Sequence, residues 1–168
     1  MKTKNMVFLS LLTAIALVIS LIEQSFPVPI GIPGAKLGLS NLVILIAIVT
    51  FSPKEGVIVA VLKSLLLMLI TGSVTSFWYS LAGAIFSSVA MSASVRWLTP
   101  ALSLIGVSEI GAIAHNVGQL GVASIVLENI KVFYYLPLLT LIGIATGFFI
   151  GLAANQVTPH LKRVFRTI

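Results

Sequence analysis

Apolar runs separated by short polar breaks fill the chain. Those at about 6–25, 37–52, 55–72, 75–98, 103–127 and 132–156 each predict a membrane-crossing helix. The predicted fold is an all-α membrane protein: a six-transmembrane-helix bundle in which residues 1–168 form a single integral membrane domain. The second run differs from the rest. After Gly38 only about 14 apolar residues remain, short for a hydrocarbon core of about 30 Å. Its helix is therefore expected to start below the membrane surface, with irregular backbone lining a cavity. The first run follows Met1-Lys2-Thr3-Lys4 as a signal peptide would, but no convincing small-x-small cleavage site follows before Glu23, so it is read as a retained span.

Polar residues break the pattern from within. Lys63 lies mid-way along the third run, and Glu109, His115, Asn116 and Gln119 share a broad face of the fifth at helical spacing. Ionisable groups are costly in hydrocarbon, so such residues turn toward a bundle interior or a wet cavity. Lys63 then needs an anionic partner, either Glu109 or an acidic ligand. His115, Asn116 and Gln119 offer donors and acceptors suited to a polar small molecule, although hydrogen bonds between helices would use the same groups. No second histidine accompanies His115, which argues against a metal site.

Composition agrees with a membrane chain: 58% of residues are hydrophobic, 8% are charged and the mean hydropathy is +1.16. With both termini cytoplasmic, Lys2, Lys4, Lys54, Arg96, Lys162, Arg163 and Arg166 gather on the inner side, against Lys36 and Lys131 outside. The net charge of +6 is thus a topology signal and an attraction to the lipid bilayer, not a nucleic-acid footprint. Cysteine and aspartate are absent and no phosphate-binding loop motif occurs, so an enzyme is not expected and ATP hydrolysis would fall to partner subunits. No cofactor is implied.

Between Phe26 and Lys36, Pro27, Pro29 and Pro33 predict an extended, stiff, lid-like outer loop. It leads into Lys36-Leu-Gly-Leu-Ser-Asn41. There Lys36 either joins a helix N-terminus in attracting an anion or snorkels to headgroups, while Ser40 or Asn41 caps the helix. Trp78, Tyr79, Phe133, Tyr134 and Tyr135 fall at the outer interface, as an aromatic belt or a stacking surface. Small residues recur at Gly143, Gly147 and Gly151, at Ser80, Ala84 and Ser88, and along the first run at Ser10, Ala14, Ala16 and Ser20. Spacings of this kind let helix backbones approach closely, inside the bundle or against a partner.

Pro33-Gly34-Ala35-Lys36-Leu37-Gly38-Leu39-Ser40-Asn41, Lys63, His115-Asn116-x-x-Gln119 and Phe133-Tyr134-Tyr135-Leu136-Pro137 together resemble the bacterial Gx transporter family, also labelled heptaprenyl diphosphate synthase component I. The likeness covers nearly the whole chain. Such proteins are similar in turn to the substrate-binding S components of energy-coupling factor (ECF) vitamin transporters. The resemblance implies a six-helix S-component fold in the bacterial cytoplasmic membrane that captures a small molecule from the outer face and works with a coupling protein and two ATPases. It makes Lys36, Asn41, Lys63, His115, Asn116 and Gln119 candidate substrate-binding residues, and Ser10, Ala14 and Ala16 candidate partner-docking residues. A synthase role conflicts with the missing aspartates, which leaves as the alternative an accessory membrane subunit in quinone or isoprenoid metabolism or in flavin-linked electron transfer.

Overall fold

The computed structural model describes residues 3–25 and 36–166, so the proline-rich segment with Pro27, Pro29 and Pro33 lies outside the described residues. Six α-helices and one 3-10 turn follow one another, with no strand among the described residues: α1 (Thr3–Gln24), α2 (Asn41–Thr50), α3 (Pro53–Thr71), α4 (Val74–Trp97), α5 (Leu104–Val126), the 3-10 turn Ile130–Tyr135, and α6 (Leu136–Arg166). Among the described residues three stretches are long and apolar enough to cross a membrane: Asn5–Gln24, Val74–Trp97 and Ile130–Val164.

Local chemistry sets the helix ends. Pro53 begins α3, where a missing N–H costs nothing, and α3 stops at Gly72, whose φ of +66° suits a residue without Cβ. Ser73 and Ser103 accept hydrogen bonds from the Ser76 and Gly106 amides and so cap α4 and α5. Helix α6 runs about ten residues past the end expected from hydropathy, carrying Lys162 and Arg163. Its 31 residues span roughly 46 Å, more than the hydrocarbon core requires.

Ten-residue α2 is too short to span, and its surroundings explain why. It packs against all five other helices, and Val43 to Ile48 are buried without interruption. A helix enclosed by protein is apolar all round and need not match bilayer thickness. Its N-terminus therefore opens inside the bundle.

The small-residue ridges pack internally. A Cβ on Gly147 would lie 2.9 Å from the Glu109 Cα, and one on Gly143 would lie 2.8 Å from Asn116 Nδ2, so α5 rests directly on the α6 backbone. Ser108 adds a hydrogen bond to the Gly147 carbonyl. Ser80, Ala84 and Ser88 are buried in α4, with Ser80 Oγ 3.1 Å from Ser64 Oγ of α3. On α1, Ser10 and Ala14 face outward with Leu11 and Ile15, whereas Ala16 is fully buried in the core. The expectation that Ala16 shares a docking face with Ser10 and Ala14 is corrected accordingly: its side chain packs inward. An apolar groove of about 350 Å³ runs between α1, α2 and the end of α6, bordered by Phe8, Leu12, Ile15, Leu42, Ile46 and Leu161. Tyr79 is buried, while Trp78, Tyr134 and Tyr135 are exposed as interfacial aromatics would be.

Candidate functional site

The site forms where the α2 N-terminus meets α1, α3, α4 and α5. Gly38 adopts φ +80°, which turns the chain into α2 and aims the Gly38 and Leu39 amides at one point. Both donate to Glu23 Oε1, brought there from the inward face of α1, with Leu39 N 3.4 Å away. Lys63, 1% exposed, reaches from α3 and donates to Ser40 Oγ at 2.8 Å. Glu23 interacts electrostatically with both Lys63 and Lys36.

From the other side come α5 and α4. Gln119 accepts from the Lys36 amide at 3.2 Å through Oε1, and its Nε2 lies 2.9 Å from His115 Nε2. One side chain thereby ties the irregular segment before α2 to the His115 ring. Gly83 makes room for that ring, since a Cβ there would sit 2.7 Å from His115 Cε1. Asn41 completes the cluster, with its Nδ2 2.9 Å from where a Gly38 Cβ would stand and the His115 ring against the same point.

Several of these groups have polar atoms without a partner. Lys36 Nζ and both amide atoms of Asn41 are buried with no hydrogen bond, in residues 5% and 2% exposed. Burying such atoms unpaired costs about 1–3 kcal/mol each, more for a charge. Ser40 does not cap α2, because its hydroxyl serves Lys63, and Asn41 does not cap it either.

Five of the six candidate binding residues converge: Lys36, Asn41, Lys63, His115 and Gln119. Asn116 does not join them. It points toward α6 and donates to the Leu139 carbonyl at 2.8 Å, so it ties α5 to α6. Asn116→Ala is expected to lower stability by about 0.6–1.7 kcal/mol, read as the melting temperature in detergent, and to leave ligand retention unchanged. Nor does Glu109 serve Lys63: it stands against Gly147 of α6, and the carboxylate coupled to Lys63 is Glu23. Sequence reasoning missed Glu23, although Thr13, Ala16, Ser20 and Glu23 recur at three-to-four spacing and are all buried.

A helical chain with membrane-length apolar segments, gathering charged and amide groups around the buried start of a short inner helix, is a multi-pass membrane protein. This chain belongs to the heptaprenyl diphosphate synthase component I family, whose model matches residues 12–157. It is also 39% identical over 87 residues to the riboflavin transporter RibU of Staphylococcus aureus (strain TCH60). That alignment covers 51% of this chain and 45% of the relative, so the chain spans about half the length of the curated protein it matches. No solved structure matches significantly.

Proposed function

We propose that the protein is the substrate-binding membrane component of an ECF-type importer for a vitamin or related small nutrient, taking its ligand at the α2 N-terminus. The observation that carries this reading is the convergence of buried, unpartnered polar atoms on Lys36 and Asn41 beside Lys63, His115 and Gln119. Functional sites are where natural proteins leave such groups unsatisfied. Likeness to a riboflavin transporter supports a vitamin-sized ligand.

In this reading the chain is one membrane domain in the bacterial cytoplasmic membrane. Its six helices are the spans, α2 being completed by the irregular residues before it, and both termini are cytoplasmic. It catalyses no reaction itself. Release inward is driven by a coupling protein and ATPases, with the coupling protein meeting the outward small residues Ser10 and Ala14 of α1.

Purification in mild detergent, followed by mass spectrometry of the retained small molecules, tests the proposal. A polar, vitamin-sized molecule is expected at near-stoichiometric amount, at least tenfold depleted in His115→Leu. Retention of nothing, together with no melting shift from any vitamin, would sink it. A second reading, the accessory subunit of quinone or isoprenoid metabolism, draws on the wholly apolar groove between α1, α2 and α6. It predicts a retained polyisoprenoid whose occupancy responds to Leu12→Trp and not to His115→Leu.

A further inference from the structure

Two ammonium groups and one carboxylate meet at the α2 N-terminus: Lys36, Lys63 and Glu23, each at most 5% exposed. With all three ionised the cluster holds one positive charge in excess. The Gly38 and Leu39 amides and the dipole of α2 add further positive potential at the same point. Glu23 takes up the two amides and faces both lysines. Lys63 spends a donor on Ser40, whereas Lys36 Nζ has no acceptor. A buried ammonium without a counter-ion is strongly disfavoured, and a bound anion relieves it.

Asn41 supplies a second, independent requirement. Its amide oxygen and nitrogen are both buried without partners, so they are available together to a group that offers a donor beside an acceptor. Its Nδ2 adjoins Gly38 and the His115 ring, which places this pair of atoms within the same cluster.

Resting on the proposed capture function, we infer that the ligand is a small monoanion, a carboxylate or a group of equal charge, whose negative end pairs with Lys36. The ligand also carries an adjacent amide-like edge read by Asn41. Glu23 is the fixed half of this arrangement, neutralising Lys63 and the α2 amides so that one charge is left for the ligand. A neutral vitamin would leave Lys36 unpaired, and a dianion would bring a negative charge with no partner.

The test uses the full chain in detergent micelles, with N-acetylglycine and N-benzoylglycine, each a carboxylate beside an amide, as probes against their neutral amides and riboflavin as a neutral vitamin. Binding is read by calorimetry and melting shift. Each carboxylate is expected to bind at least tenfold more tightly than its amide, and Lys36→Met to erase that preference while the protein remains folded. If Lys36→Met fails to fold, Lys36→Gln replaces it. Equal or tighter binding of the amides or of riboflavin overturns the monoanion inference and leaves the capture function standing. The inference also falls if the carboxylate preference persists without the Lys36 charge. Binding of none of the probes or other vitamins overturns both.

Discussion

Glu23→Ala should be among the most damaging single changes to this protein, lowering stability by about 3–5 kcal/mol in detergent unfolding. The carboxylate is 2% exposed and accepts from the Gly38 and Leu39 amides. Its removal leaves those donors unpaired and both Lys36 and Lys63 without their shared counter-ion. Glu23→Gln separates the two losses, because the amide oxygen still accepts from the backbone while the charge is gone. It should therefore be less damaging than alanine. The double variant Glu23→Gln, Lys63→Met removes one charge of each sign, and its loss should fall short of the sum of the single losses by about 0.5–3 kcal/mol. Strict additivity would show that Glu23 and Lys63 do not act on each other. A gain in stability from Lys63→Met alone would go further and make the lysine a tolerated liability of a purely structural scaffold.

Helix positions were legible because hydropathy and terminators act locally. Pro53, Gly72, Ser73 and Ser103 place the ends of α3, α4 and α5 within a residue or two of the expected runs. The short apolar stretch after Gly38 fits a helix that begins only at Asn41. What it did not announce was why α2 is short, since enclosure by five helices is a property of the whole bundle. The site was readable to the same degree. Polar groups inside apolar runs singled out Lys63, His115 and Gln119 as inward-facing candidates, but periodicity says only that a face is inward, not which neighbour it meets. Asn116 is adjacent to His115 in sequence, and the 100° step between them turns it toward α6. Glu109 attracted attention because it lies on the polar face of the fifth apolar run, whereas Glu23, near the end of the first run, was not singled out as a partner for Lys63. The three-to-four recurrence ending at Glu23 was the available signal.

Gly38→Ala is expected to reduce ligand binding tenfold or more, far beyond what its effect on folding would suggest. Among the described residues two glycines have similar left-handed backbones, Gly38 at φ +80° and Gly72 at φ +66°. For a residue with a Cβ that conformation costs roughly 1–2 kcal/mol, so both alanine variants should lose comparable stability on this account. Their surroundings differ. Nothing lies within 4 Å of a Cβ at Gly72, whereas one at Gly38 would stand 2.9 Å from Asn41 Nδ2 and 3.1 Å from His115 Cδ2. The Asn41 amide can swing away, which limits the penalty to folding, but doing so moves the donor and acceptor that the site holds in place. Pressure on the His115 ring would in turn disturb its contact with Gln119 and the hydrogen bond that Gln119 accepts from Lys36. Melting temperature and occupancy of the retained molecule, measured on both variants, distinguish the effects. Similar melting losses with binding lost only in Gly38→Ala support a ligand site at the start of α2. Binding that survives Gly38→Ala at wild-type strength would place the ligand elsewhere in the bundle.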